Sequence, residues 1–239
     1  MAGNRWIANI DRRVLRTSIG GAAFCLLIFL ILRLLLLLLD GPSPLDVWLA
    51  EHIRQPDPSR ELKILERLAA YPGSRKGAAV LILGVGAWAW LRLRDLRFGA
   101  LLIAALLATT ATVEILKILL VRLMPIAPTG ELDDRAFLSS HVAIAVAFFG
   151  MLVVVLALSG HRALLPLTVA IAIVLVGGVT LSVMASDMHY FVDILSGAAV
   201  AGFWVCVLAP VADLVWARSV VRTSPAPSPQ LAEVGDQDL

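Results

Sequence analysis

Cysteine is nearly missing from this chain. Cys25 and Cys206 are the only two in 239 residues. Both fall inside long apolar runs, without the spacing of a metal knot or a disulfide framework, and they read as small apolar residues. Charge is scarce as well: 16% of residues are Asp, Glu, Lys or Arg, and the formal net charge is +2. So small a surplus gives no reason to expect a nucleic-acid partner. There is no glycine-rich phosphate loop, no heptad repeat and no internal duplication. These absences remove P-loop chemistry, coiled coils and repeat arrays. No ligand set for a metal is evident, and no cofactor is expected.

What the chain has instead is apolar length. It is 59% hydrophobic, with a mean hydropathy of +0.88. Six runs approach or exceed the ~20 apolar residues that cross a bilayer core: about 17–39, 76–92, 98–121, 136–158, 163–185 and 190–216. The expected fold class is therefore all-α, an integral membrane bundle of six transmembrane helices. The first run is too long for the core of a cleaved signal peptide and is kept as a helix. Residues 1–16 form a cytoplasmic N-terminal segment in this reading, 17–216 the membrane domain, and 217–239 a disordered cytoplasmic tail rich in Pro, Ser and acid.

Orientation follows the basic residues. Arg5, Arg12, Arg13, Arg16, Arg92, Arg94, Arg97, Arg162, Arg218 and Arg222 all fall on one side of a six-span chain, the cytoplasmic side by the positive-inside rule. The first outer loop also carries Arg54, Arg60, Lys63, Arg67, Arg75 and Lys76, balanced by Asp40, Asp46, Glu51, Asp57, Glu61 and Glu66. Within it, "SPLDVWLAEHI" and "SRELKILERLAAY" have helical apolar spacing and a Ser cap, separated by "QPDP". They predict two short amphipathic helices on the outer surface.

Three polar clusters sit at span ends, and six crossings bring all three to the outer face. Ionisable residues at membrane depth default to a functional reading. In "HYFVD", His189 and Asp193 are i and i+4 and share a helical face. A carboxylate on one imidazole nitrogen fixes the tautomer and leaves the other nitrogen nucleophilic, although a helix cap or simple ion pair fits the same spacing. In "FLSSHVAIA", Ser139 and Ser140 open a helix whose free N–H groups suit an oxyanion, and His141 can donate a proton. The plainer reading is a Ser cap and a satisfied histidine. In "EILKILLVRLMP", Lys117 and Arg122 can clamp phosphate oxygens, or merely favour a helix end, and Glu114 is a partner for Lys117. Together the clusters make a phosphoryl-transfer kit. His189 attacks phosphorus, Asp193 orients it, and His141 protonates the leaving alcohol and later activates water. Lys117, Arg122, Ser139, Ser140 and backbone N–H groups steady the oxygens.

At these residues the chain resembles the type 2 phosphatidic acid phosphatases, relatives of the vanadium haloperoxidases. Their signature runs Lys, six residues, Arg-Pro; Pro-Ser-Gly-His; and Ser-Arg, five residues, His, three residues, Asp. Lys117, Pro125, Ser139, His141, Ser182, His189 and Asp193 match it, and Arg122 matches an additional arginine of many members. Met124 and Val183 stand where arginines are usual, Leu138 where Pro is, and Ser140 where Gly is. The resemblance implies a six-helix membrane phosphatase covering about Asp46 to Trp216, with an intact catalytic triad and two missing phosphate clamps.

The function implied is hydrolysis of a lipid phosphate monoester through a phosphohistidine at the outer face. The Ala/Leu/Arg-rich composition suggests a bacterial inner membrane, with the site toward the periplasm. The partners implied are a lipid phosphate substrate and the bilayer; nothing speaks to oligomeric state. The alternatives are a lipid phosphotransferase acting on phosphodiester headgroups and a non-catalytic lipid-binding accessory protein. Arg135 is a candidate substitute clamp or a partner of Asp133 or Asp134, Asp187 faces solvent, and His52 and His161 are surface residues. Arg33, set among leucines, is expected to snorkel outward.

Overall fold

A computed structural model describes residues 11–39, 42–53, 58–121, 137–186 and 189–223. These form eight α-helices, and no strand occurs among the described residues. The helices are α1 (Arg12–Leu39), α2 (Pro44–Ile53), α3 (Arg60–Ala70), α4 (Arg75–Trp88), α5 (Arg97–Val121), α6 (Ser140–Leu158), α7 (Leu165–Ala185) and α8 (Phe191–Thr223). The all-α expectation and the two short helices of the first loop are borne out. Two boundaries move: α1 begins at Arg12 rather than 17, and α8 continues past Trp216 to Thr223. Neither junction carries a helix breaker.

Among the described residues, five helical segments are long and apolar enough to cross a membrane: Arg12–Leu39, Arg97–Leu120, Ser140–Leu158, Arg162–Ala185 and Phe191–Trp216. The expected span at 76–92 is divided. It consists of α4, 14 residues and so about 21 Å long, followed by a π-helical turn, Ala89–Leu93. That turn ends at Arg94, whose φ of 54° is left-handed.

Local chemistry explains the starts of these helices. Ser59 accepts a hydrogen bond from Leu62 N–H, Ser74 from Gly77 N–H and Ser139 from Val142 N–H. Pro44 opens α2 at a position where its missing N–H costs nothing.

The centre of the bundle is α6, which buries Val142, Ala143, Ala145, Phe148, Met151 and Val155. α5 and α8 flank it with Phe98, Leu102, Val113, Val200 and Ala201. α1 and α7 lie outside and leave long apolar side chains uncovered, among them Phe24, Leu27, Leu38, Leu167, Ile173 and Val174. An uncovered apolar surface of this extent is suited to lipid. The chain is an integral membrane protein.

α1 runs antiparallel to α8. Asp11 N–H donates to Asp213 at 2.9 Å. Further along, Gly21 lies against Cys206 and Gly202 against Cys25; a Cβ on either glycine would come within 2.7 or 2.9 Å of the sulfur. Arg97 closes that end of the bundle. It holds both oxygens of Asp95 (2.7 and 2.6 Å), donates to the Val215 carbonyl at 3.1 Å and lies over the Trp216 ring.

Burial raises the pKa of Asp95, but the hydrogen bonds and charge of Arg97 outweigh it and leave the carboxyl below its ordinary value. A group whose folded pKa is depressed adds stability above its unfolded pKa and loses it as pH falls through the folded one. Thermal unfolding in detergent should therefore show a melting temperature that drops as pH falls below about 4. Asp95→Asn should flatten that part of the slope.

Candidate active site

The site forms where the first turns of α6 and α8 meet. Ser139 N–H donates to the Asp193 carbonyl at 3.1 Å. Gly197, in the second turn of α8, lies under Ser139, where a Cβ would come within 2.5 Å of the Ser139 carbonyl oxygen. Only a residue without a side chain allows that approach. Leu138, immediately before, is fully buried at φ 89°, a left-handed backbone that a branched side chain rarely adopts. The strain lies next to the site, as is common in functional turns.

This junction gathers most of the expected residues. From α5, Lys117 donates to the Ser140 hydroxyl at 2.6 Å. His141 lies within electrostatic range of His189 and Lys117, and Lys117 within range of Asp193. His189 Nδ1 lies 3.8 Å from Asp193 Oδ2, with both side chains nearly buried (7% and 10% exposed). That oxygen also accepts the Tyr190 N–H at 3.0 Å, so Asp193 caps α8 as well as facing the imidazole. The cap and the imidazole contact coexist. His189 Nδ1 is buried without a hydrogen-bond partner. A movement of about 1 Å would bring it to bonding distance of the carboxylate.

Lys117, Ser139, Ser140, His141, His189 and Asp193 thus meet at one end of the bundle. Arg122, Met124, Pro125, Arg135 and Asp187 lie outside the described residues. Glu114 is not the hydrogen-bonded partner of Lys117; it pairs with Arg75 at 2.7 Å, since Lys117 turns to Ser140. Val183 is fully buried in an apolar cluster with Val142, Val179 and Ile194, so that position contributes no charge. His52 is exposed and stacks on Trp48. His161 bonds Ser159 and touches Phe98 at the opposite end.

Sequence reasoning missed three supporting contacts, although Ser182 itself was among the residues that carry the resemblance. Asp46, read as a loop charge, is 1% exposed. It accepts from Ser43 N–H (3.0 Å), Ser43 Oγ (2.8 Å) and, across the bundle, Val192 N–H (3.0 Å). The Ser-Pro-Leu-Asp spacing signals the local bonds as a capping box, but the bond to α8 has no local signature. Gly73, in a 3₁₀ turn, packs directly on the His141 carbonyl. Ser182 donates to the Glu66 carbonyl at 2.6 Å, pinning α3 to α7 beside the site. Arg33 is also a correction. It does not snorkel outward but is 8% exposed, with its guanidinium over the Phe137 ring.

The described residues form a helical membrane bundle with two histidines, an acid, a lysine and serines at one end. Residues 98–216 match the family model of the PAP2 superfamily, and the chain belongs to that superfamily. All six residues of the junction fall inside the matched stretch. The chain is also similar in fold to a solved structure, described as the crystal structure of the first transmembrane PAP2 type phosphatidylglycerolphosphate phosphatase from Bacillus subtilis. The TM-score is 0.54 and the identity 17%, over 87% of this chain and 99% of the other. No curated protein matches the chain.

The buried carboxylate of Asp46 joins the start of α8 to α2. Asp46→Ala strands three donors, two of them backbone N–H groups. It should destabilise the protein by about 2–4 kcal/mol. Asp46→Asn keeps one acceptor oxygen and should cost roughly half as much. Thermal unfolding of the three proteins in one detergent measures both.

Proposed function

We propose that this protein is a membrane lipid phosphatase that hydrolyses a phosphate monoester through a phosphohistidine. The observation that carries the proposal is the junction of α6 and α8, where His189, Asp193, His141, Lys117 and Ser139 converge. His189 attacks phosphorus through Nε2, and the P–O bond to the lipid breaks. Asp193 stabilises the positive charge that develops on the ring. His141 gives its proton to the departing alkoxide, which leaves as the alcohol. It then removes a proton from the water that attacks the phosphohistidine, releasing phosphate and free His189. Lys117 and the N–H groups opening α6 face the equatorial oxygens, where negative charge gathers. Arg122 and Ser140 complete the proposed phosphate contacts. No metal or other cofactor enters the scheme.

The site faces outward in this reading, the periplasm of a bacterial inner membrane. Arg12, Arg13, Arg16 and Arg97 cluster at the other end, with Asp213 and Val215, in accord with the positive-inside rule. Six crossings follow if α4 and its π turn together count as one. That path leads from Gly73, on His141, to Asp95, held by Arg97 near Val215. α1 and α7 offer the lipid tails an apolar flank while the headgroup reaches the junction.

A second reading is transfer of a phosphate-bearing headgroup between lipids. It is favoured by Val183, which puts an apolar side chain where a clamp for a phosphate dianion would add charge. A phosphodiester is only a monoanion.

Full-length protein in liposomes should release inorganic phosphate from phosphatidic acid or another lipid monophosphate. His189→Ala should abolish release, and His141→Ala should slow it by about 10²–10⁴-fold. An acid-quenched reaction should carry one phosphate on His189 by mass spectrometry. Release equal to that of the His189 variant would rule out hydrolysis. Headgroup recovered on a second lipid would favour transfer.

A further inference from the structure

Arg33 is a charged residue in the leucine-rich half of α1, and the stretch matched to the family does not include it. An arginine is always ionised and carries five donors. Here it is 8% exposed, and its Nη1 is buried without a hydrogen-bond partner. No carboxylate among the described residues pairs with it. Its visible contact is the face of Phe137, 5.6 Å from ring centroid to guanidinium, with Phe29 packed against the same ring. A cation–π contact of this kind offsets only part of the cost of burying the charge.

Its position explains that cost. In the antiparallel register that sets Gly21 on Cys206 and Cys25 on Gly202, Arg33 comes level with Ile194, the neighbour of Asp193. Phe137 is two residues from Ser139, whose N–H is bonded to the Asp193 carbonyl. The guanidinium therefore lies on the α1 side, over the ring two residues before Ser139, and Lys117 enters the junction from α5. A lipid phosphate monoester is close to a dianion at neutral pH. Among the described residues Lys117 supplies one positive charge there, whereas Arg75 is paired with Glu114.

We propose that Arg33 is a substrate-binding residue whose unpartnered Nη1 takes up a phosphate oxygen of the bound headgroup. The inference rests on the proposed phosphatase site and adds a cation that the family signature does not include. Phe137 holds the guanidinium in place. Phosphate then supplies a counter-charge that no carboxylate among the described residues gives Arg33.

The test uses full-length protein in liposomes with short-chain phosphatidic acid, and inorganic phosphate as competitor. Arg33→Gln should raise KM and weaken inhibition by inorganic phosphate by about ten-fold or more, with kcat changed less. Arg33→Lys, which keeps the charge but not the planar fork, should recover only part of both. The melting temperature of unliganded Arg33→Gln should equal or exceed that of wild type, because an unpaired buried charge has been removed; a purely structural arginine would lower it. KM and phosphate inhibition within two-fold of wild type would overturn the proposal. If Arg33→Gln does not fold, Arg33→Lys decides, since loss of the planar fork should still raise KM about three-fold or more. If wild type hydrolyses no lipid, the phosphatase reading fails separately. Thermal stabilisation by inorganic phosphate then decides Arg33: its loss in the Gln variant supports the anion site, and its persistence refutes it.

Discussion

The hydrogen bond from Ser139 N–H to the Asp193 carbonyl, with Gly197 seated beneath Ser139, fixes the geometry on which the rest of the site depends. It joins the beginnings of two helices. Each beginning presents unsatisfied N–H groups and carries a histidine within a few residues. Because His141 lies two positions after Ser139 and His189 four before Asp193, one backbone contact sets the relation of the two imidazoles. The rings need no direct bond to each other. Their placement is inherited from main-chain packing, which tolerates little displacement. The left-handed Leu138 follows from the same requirement, since the chain must turn sharply into α6 without losing the contact.

Helices that seem peripheral hold this junction from outside. Asp46 of α2 accepts a backbone donor at the opening of α8, and the turn after α3 presses Gly73 against His141. Ser182 ties α7 to α3. A buried carboxylate is costly unless its lone pairs are met, and Asp46 meets three donors. The unit of α2, α3 and the turn after α3 is therefore part of the site's framework. Its displacement would disturb both helix openings together.

Much of this was legible in the sequence because the signals are local. Apolar runs gave the long helices, and Ser59 and Ser139 marked caps. His189 and Asp193 do meet, but not on one helical face: α8 begins at Phe191, and His189 reaches Asp193 from the turn that leads into the helix. Other features were not legible, for a physical reason. The bonds of Asp46 to Val192 and of Ser182 to Glu66 join residues far apart in the chain, and no spacing rule encodes them. Arg33 was misread because snorkelling describes a helix facing lipid on all sides. That account fails where a neighbour, here Phe137, covers the side chain. The span at 76–92 was read from hydropathy, which cannot register that its last turn is π-helical.

The remaining question is how so apolar a site would manage a highly charged group. Val183 belongs to a closed apolar cluster reaching Val142 and Ile194, so a cation there would require repacking of three helices. Charge must come from the rim. Lys117 arrives from α5, the α6 opening contributes its dipole, and the guanidinium of Arg33 lies on the α1 side. On the proposed reading, such an arrangement would surround an anion with donors from separate helices. In a region of low dielectric a few oriented donors act more strongly than many hydrated ones. A small number of cations is then compatible with phosphate chemistry, provided that the helix openings stay locked together by Ser139 and Asp193.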